Sequence, residues 1–559
     1  MYPYTPDKPT DRTTRMRGRI VLAAFAVVLA VVLGRFVQLQ VIQHAHWLDR
    51  ARASQERTIE LPPQRGTITD RDGTVLAVDI KAAAIAVDGI HLTNSDAAVT
   101  ILAEELSWSR SEVEAKLART SYFTWIDRRV DFDIAQRIRQ RAQDASVFGL
   151  ITIDTWKRWY PQGRLASNLL GFVGTDGDGL EGIELAYDDR LQGTPQVVQI
   201  LEGADGRTYE VEVLEPGTRG EDLALTLDAG LQFICEEEIR AGVSRFRALN
   251  GMIVVLDPST GEVLAMAQDK GYDLNEFWTS SADARRNLPV SQLFEPGSIF
   301  KVFTGLAALE AGIVAPTDTF DGSDGIDVSG HVMHNADNES YGTVTFGEII
   351  EHSINTGMIR VAQLLGEERF HAMLTALGFG QATGVGLPGE EVGILRGVED
   401  WSGLALAATS IGQSVAVTGI QLARALSVVP AGGLLPSPTI VKADVPPSPV
   451  RVCSSTAAAT MLGLMRTVVE SGTGTLAAID GFSIAGKTGT AQKAVPGQGY
   501  VEGKYTSLFG GIITADTPGY VMLVVLDEVR SGSVSGGYTS GQIFRRAATR
   551  LIAQERLAP

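Results

Sequence analysis

EPGSIFKVFTGLAALEAG, Glu295 to Gly312, sets a serine and a lysine three residues apart in apolar surroundings. Pro296-Gly297 turns the chain into a helix and Gly312 ends it. Residues three apart share a helix face, so the Ser298 hydroxyl and the Lys301 amine can meet. Ile299, Phe300, Val302, Phe303, Leu306 and Leu309 surround them. Burial there, together with the positive helix N-terminus, lowers the pKa of the lysine. A neutral amine beside a serine can take its proton and make a nucleophile of it. The bland alternative is a capping serine followed by a surface lysine, and S-x-x-K alone does not separate the two.

Two further segments do. Ser353-Ile354-Asn355 lies in EHSINTG, Glu351 to Gly357. Lys487-Thr488-Gly489-Thr490 lies in SIAGKTGTA, Ser483 to Ala491, which reads as a strand. Gly486 and Gly489 are expected to leave room there for a ligand backbone. LALTLDAGLQFICEEEI, Leu223 to Ile239, reads as a strand followed by a helix. MIVVLDPSTGEVLAMA, Met252 to Ala267, reads as a β-hairpin turning at Pro258-Ser259-Thr260-Gly261. SLFGGIIT, Ser507 to Thr514, and YVMLVVLDEV, Tyr520 to Val529, are further β runs, and Gln542 to Ala553 is a closing helix. Strands at both ends with helices between predict an α+β domain whose one antiparallel sheet is built from both ends of the segment.

A chain of 559 residues is more than one core usually organises, so two or more domains are expected. The net charge of -18 argues against a nucleic-acid binder, which needs a basic surface to displace counterions. Cys235 and Cys453 stand far apart, with no CxxC or Cys/His cluster. A structural zinc site has no support, and no metal is expected. Two separate buried thiols are favoured over a disulfide between them. Ile20 to Gly34 carries no charge, and Arg12, Arg15, Arg17 and Arg19 precede it. FVQLQVI, Phe36 to Ile42, extends the run, while the small-x-small site Ala51-Arg52-Ala53 lies too far on for a typical cleaved signal. An uncleaved anchor is therefore expected, with residues 1–11 a flexible tail on the cytoplasmic side. Between anchor and hairpin, RGTITDRDGTVLA, Arg65 to Ala77, reads as two strands around Asp72-Gly73, and Ser109 with Glu112 as a capping box. No catalytic cluster stands there, and a structural module is the favoured reading.

S-x-x-K, Ser-x-Asn and Lys-Thr-Gly, in this order, are the set carried by penicillin-binding proteins and class A β-lactamases. The chain resembles a class B penicillin-binding protein, a monofunctional D,D-transpeptidase of peptidoglycan synthesis, over nearly all of its length. FEPGSIFK (Phe294 to Lys301) and GKTGTAQK (Gly486 to Lys493) are similar to that family's active-site motifs. IGQSVAVTGIQLARA (Ile411 to Ala425) resembles its helix after the middle motif. RGTITDRDGTVLA, RWYPQGRLASNLLGFVG (Arg158 to Gly174) and GLEGIELAYDDRLQG (Gly179 to Gly193) resemble its signatures ahead of the catalytic domain.

The resemblance implies a penicillin-binding transpeptidase and serine β-lactamase-like fold behind a single transmembrane helix and an elongated mixed α/β pedestal. The divisions expected are a tail 1–19, an anchor 20–42, a dimerisation or pedestal domain 43–222 and a transpeptidase domain 223–559. It implies Ser298 as nucleophile, Lys301 as base and Ser353 as proton relay, held by hydrogen bonds to Lys301 and Lys487. Asn355 would hold the substrate amide, Lys487 and the hydroxyls of Thr488 and Thr490 would attract the terminal carboxylate, Gly489 would line the same substrate-binding strand, and the backbone N–H groups of Ser298 and Thr490 would form the oxyanion hole. It implies no cofactor, D-Ala-D-Ala stem peptides as substrate and acylation by β-lactams. A membrane glycan polymerase of the shape, elongation, division and sporulation family would be a partner, with other division proteins, since no glycosyltransferase motif is present. A class A β-lactamase needs an asparagine in a loop after the middle motif, and no asparagine follows Asn355. A β-lactam sensor needs a signalling domain that the short tail has no room for. Ser-x-Asn, GKTGTAQK and the modest length favour a septal over a lateral-wall role.

Overall fold

The computed structural model describes residues 12–118, 123–202, 208–495, 499–513, 519–555 and 557. The tail expected at residues 1–11 lies outside them. The chain forms two compact units, one of Met1–Pro63, Lys81–Thr155 and Thr194–Thr218, the other of Gln64–Ile80, Trp156–Gly193 and Arg219–Pro559.

In the first unit, Arg12–Val37 is an α-helix that continues through a single wider turn, Gln38–Ile42. Leu22, Phe25, Val31 and Phe36 are exposed along it, and its most apolar window has a mean hydropathy of 2.7. About 20 apolar residues cross a bilayer, and this helix is consistent with a single-pass membrane anchor. Further on, Glu56–Leu61, Gln196–Glu202 and Thr208–Glu215 form an antiparallel sheet in that order. A separate core gathers Ile85, Val87, Leu102, Val113 and Ile138 under the helices Ser95–Leu106, Arg110–Leu117 and Phe132–Asp144. The expected capping box is present: Ser109 Oγ accepts from the Glu112 N–H at 3.2 Å and Glu112 accepts from the Ser109 N–H at 2.8 Å.

The second unit is built on one five-stranded antiparallel sheet. Its strands are β1 (Asn250–Leu256), β2 (Val263–Gln268), β3 (Ile484–Val495), β4 (Gly499–Ile513) and β5 (Tyr520–Asp527). The spatial order is β2-β1-β5-β4-β3, so strands from both ends of the segment meet at the β1–β5 pair. Both faces are covered, which is why the central strands read as unbroken apolar runs and not as alternation. Met252, Val254, Leu523 and Val525 face one core; Ile253, Val255, Met522 and Val524 face the other. Helices α1 (Ala229–Phe246) and α6 (Ser540–Glu555) fill the second core. Helices α2 (Lys301–Glu310), α3 (Asn355–Leu365), α4 (Gly419–Ser427) and α5 (Ser455–Glu470) fill the first. Gly510 and Gly511 let helices approach from both sides. A Cβ at Gly510 would stand 2.5 Å from Leu426, and one at Gly511 would stand 2.4 Å from Phe544. Cys235 and Cys453 are separate buried free thiols.

Arg65–Ala77 forms the expected strand pair, with Ile68 opposite Ala77 and Thr69 opposite Val75, and Leu223–Ala224 adds in parallel. The loop-and-helix segment Gly179–Gly193 contains two short helices, Gly182–Ala186 and Asp188–Leu191. Three of the quoted signatures meet here on Glu184, which has no exposed surface. Its carboxylate accepts from Arg65 Nε at 2.7 Å, Arg158 Nε at 2.6 Å and the Tyr160 hydroxyl at 3.3 Å. Arg158 also reaches Asp79 at 3.2 Å. Two buried guanidinium groups thus share the Glu184 carboxylate, with Asp188 as a second partner of Arg65 and Asp79 of Arg158. Removing Glu184 leaves Arg65 with Asp188 alone and Arg158 with Asp79 alone, and takes the central carboxylate out of a buried network, so Glu184→Ala is expected to destabilise the protein by about 3 kcal/mol. Urea unfolding checks this, and a loss below about 1 kcal/mol, the range of exposed pairs, would sink the argument.

Candidate active site

The Ser298 segment is clamped before any helix begins. Phe294 exchanges backbone hydrogen bonds with Val417 at 3.1 and 3.0 Å, and the Gly297 N–H donates to Gly412 O at 3.0 Å. Gly297 has φ +54°, a left-handed conformation that favours glycine. A Cβ there would lie 2.7 Å from the Thr490 carbonyl, so glycine also lets this turn lie directly against β3. The single helix expected over the motif is divided. Gly297–Phe300 is a tight 3-10 turn, and α2 starts at Lys301. Side chains three apart eclipse in such a turn, which keeps Ser298 and Lys301 on one side.

Ser298 is half-buried, while Lys301 and Lys487 are both 0% exposed. The Ser298 hydroxyl and the Lys301 amine, which their spacing allows to meet, are not hydrogen-bonded to each other among the described residues. The Lys301 amine instead donates to the Ser353 carbonyl and to Asn355 Oδ1 at 2.7 Å, and lies 3.2 Å from Ser353 Oγ. Lys487 Nζ reaches the same Oγ at 2.9 Å. Ser353 therefore stands between two amines. It does so from a strained backbone, φ +60°, just past the helix Phe346–Glu351. A non-glycine residue held there is costly and marks an over-determined position. Asn355 opens α3, and its Nδ2 donates to His334 O at 2.8 Å.

Burial is the main cause of both lysine shifts. It holds Lys301 well below the usual range, with the Lys487 charge pushing the same way. Burial alone brings Lys487 down to about 7. A free base at neutral pH is thus available in a chain that would otherwise keep both amines protonated.

Lys487, Thr488, Gly489 and Thr490 lie on β3, the edge strand, in register with Gly510, Phe509, Leu508 and Ser507 of β4. Half of an edge strand's backbone groups lack a ladder partner and can take an added extended chain. The room expected at Gly486 and Gly489 serves the protein itself, which corrects the sequence reading. A Cβ at Gly486 would meet the Phe509 ring at 2.5 Å, and one at Gly489 would meet Pro296 O at 2.9 Å and Ile299 at 3.0 Å. Thr490 is exposed and its hydroxyl accepts from the Gly536 N–H at 3.1 Å. The Thr488 hydroxyl pairs with that of Thr473 at 2.8 Å. Thr473, Gly536 and His334 were not singled out by sequence reasoning. Each lies in a loop without periodicity and acts through backbone or hydroxyl groups common to any loop. A cavity of about 500 Å³ opens between the segment ahead of the Ser298 turn and the far end of β3, lined by Phe294, Glu295, Val415, Ala491 and Gln492 among others. Among the described residues, no group of three or more His, Cys, Asp or Glu side chains is placed to hold a metal ion.

Residues 251–549 match the penicillin binding protein transpeptidase domain, and residues 60–225 match the penicillin-binding protein dimerisation domain. Penicillin-binding protein PbpB of Mycobacterium tuberculosis is 32% identical over 581 residues, covering 95% of this chain and 84% of the relative. Peptidoglycan D,D-transpeptidase FtsI of Escherichia coli is 29% identical, covering 94% of this chain and 90% of the relative. Penicillin binding protein 3 of Mycobacterium tuberculosis, solved in complex with aztreonam, superposes with a TM-score of 0.69 at 28% identity, covering 89% and 98% of the two chains. The chain belongs to the penicillin-binding protein transpeptidases. This transpeptidase is a serine-type acyl-transfer enzyme with a dimerisation domain ahead of its catalytic domain. The three motifs that carried the resemblance are the ones its structure brings together around Ser353.

The two lysines give the transpeptidase a testable pH signature. Acylation by a fluorescent penicillin should rise with pH as Lys301 loses its proton. It should fall again on the alkaline side as Lys487, near 7 when free, loses its own. Guanidinium stays protonated, so Lys301→Arg should acylate as poorly as Lys301→Ala. A pH-independent rate, or substantial activity in the arginine variant, would count against Lys301 as the base.

Proposed function

We propose that the protein is the septal peptidoglycan D,D-transpeptidase of its cell, crosslinking stem peptides through an acyl-enzyme on Ser298. The observation that carries the reading is the convergence of two fully buried amines on Ser353 Oγ, beside the turn that presents Ser298. Ser298 Oγ attacks the carbonyl between two terminal D-alanines, and Lys301 accepts its proton. Ser353 passes a proton to the leaving D-alanine amine. The carbonyl oxygen, negative in the tetrahedral intermediate, lies against the backbone N–H groups of Ser298 and Thr490, a contribution that is usually large. Asn355 keeps one N–H beyond its bond to His334 for the donor's amide carbonyl. Lys487, with Thr488 and Thr490, takes the terminal carboxylate. An amine from a second stem peptide then attacks the ester, and Ser298 regains its proton. A β-lactam enters the same path and stays on Ser298.

The proposed layout is a tail 1–19 in the cytoplasm, an anchor 20–42, a pedestal 43–222 and a transpeptidase domain 223–559 outside the cytoplasmic membrane. Arg12, Arg15, Arg17 and Arg19, in the first turns of the helix and ahead of its apolar run, support that orientation. A membrane glycan polymerase of the shape, elongation, division and sporulation family and other division proteins are the proposed partners. Likeness to FtsI and PbpB over most of the chain supports the septal role.

Ser298→Ala should lose covalent labelling by a fluorescent penicillin while keeping its unfolding midpoint. A labelled peptide carrying any other serine overturns the mechanism. Depletion of the protein should give filaments, whereas spheres would assign it to lateral wall growth.

A further inference from the structure

HNADN, His334 to Asn338, follows a small hairpin, Ile326–Val328 paired with His331–Met333. Nothing in its composition suggests a part in the reaction. Yet the Asn335 side chain is only 5% exposed and has all four of its hydrogen-bonding positions in use. Its Nδ2 donates to Gly322 O at 3.0 Å and to Glu339 O at 2.9 Å. Its Oδ1 accepts from the Thr356 N–H at 3.0 Å and from the Thr356 hydroxyl at 3.2 Å. Its own N–H donates to Asp324 at 2.7 Å, and Asp324 also pairs with the His334 ring at 2.9 Å. The backbone of residues 334–335 is therefore tied to Thr356, next to Asn355.

That tie decides which way the Asn355 amide faces. Asn355 Nδ2 donates to His334 O while Oδ1 accepts from Lys301. A carbonyl can only accept, so one of the two amide orientations satisfies both neighbours and the other sets Oδ1 against the His334 carbonyl. The orientation matters to the base. A neutral amine has two N–H bonds and one lone pair. The Ser353 carbonyl and Asn355 Oδ1 take the two N–H bonds, which leaves the lone pair for a hydroxyl. With the amide turned over, Nδ2–H would point at Lys301 and occupy that lone pair.

We propose that Asn335 is a positioning residue for the reaction: it holds the His334 carbonyl against Asn355 and so keeps the amide oxygen, not the NH2, on Lys301. The proposal rests on Lys301 being the base. An aspartate at this position keeps the shape but cannot donate, and would set a carboxylate against the carbonyls of Gly322 and Glu339.

The test is the second-order rate of acylation by a fluorescent penicillin, measured on the full chain in detergent with a thermal midpoint for each variant. Asn335→Asp should be slower by about 10–100-fold, as for other groups that act through an orienting bond. In an Asn355→Ala background the same change should alter the rate by no more than about threefold, since neighbours in one network are not additive. The acid limb of the pH profile should move to lower pH in Asn335→Asp, because an N–H aimed at the amine favours its neutral form. Lys487, the charge that acts on Lys301, is unchanged in all of these variants, and the carboxylate that Asn335→Asp adds favours the protonated amine, so a shift to lower pH does not come from that charge. A wild-type rate in Asn335→Asp, or an equal loss in both backgrounds, overturns the proposal. Normal acylation by Asn355→Ala would remove the role given to Asn355 and the proposal with it; a slow Asn355→Ala beside a normal Asn335→Asp removes the proposal alone. Should Asn335→Asp not fold, Asp324→Asn takes its place, with a smaller loss that again vanishes in the Asn355→Ala background and the same outcomes against it.

Discussion

Two lysines are buried within reach of one hydroxyl, and most of the catalytic unit follows from that. Lys301 and Lys487 lie 3.2 and 2.9 Å from Ser353 Oγ. Two charges no more than about 6 Å apart, at an effective dielectric of about 20, repel by at least about 3 kcal/mol, a factor of about a hundred or more in proton affinity. Desolvation acts on each amine in the same direction. The pair therefore holds one proton comfortably and two poorly. A site that needs one neutral amine and one cation obtains both from the same residue type by burial and by the repulsion of one amine on the other.

Keeping such a pair in place demands a rigid frame. The two lysines come from elements far apart in sequence, one opening α2 and one on the edge strand β3. The contact between them depends on Gly297, whose turn rests on the Thr490 carbonyl, and on a sheet that admits helices closely on both faces at Gly510 and Gly511. Ser353 is held at φ +60° between them. None of these features stabilises the fold in itself. Their strain is carried by two large apolar cores, one on each face of the sheet.

The sheet and the three motifs were legible in the sequence because each has a strong local signal. β1 and β5 are long apolar runs, the hairpin turn is Pro258-Ser259-Thr260-Gly261, and Ser298, Lys301, Ser353, Asn355 and Lys487 stand at characteristic spacings. What was misread or missed depends on partners distant in sequence. Gly486 and Gly489 looked like space for a ligand, yet the Phe509 ring and the Pro296 carbonyl fill it. Spacing puts Lys301 beside Ser298 and the resemblance puts it on the Ser353 hydroxyl, but neither shows the Ser353 carbonyl and Asn355 Oδ1 taking its N–H bonds across more than fifty residues. Glu184 gave no sign that two arginines, from separate segments, would close on it. A linear pattern reports periodicity and turn chemistry; it does not report which loop carbonyl faces which amide.

On the proposed mechanism the order of events follows from the same electrostatics. A carboxylate arriving at Lys487 favours its protonated form and so raises an affinity that burial had brought to about 7. The charge thus fixed on Lys487 acts on Lys301 and holds that amine neutral. Substrate binding would then prepare the base, and the free enzyme need not keep Lys301 deprotonated in every molecule. Neutral ligands lacking the carboxylate gain neither the ion pair nor this effect on Lys301. Their loss should appear in the rate of acylation as well as in binding, because one proton, shared between two amines, connects recognition to chemistry.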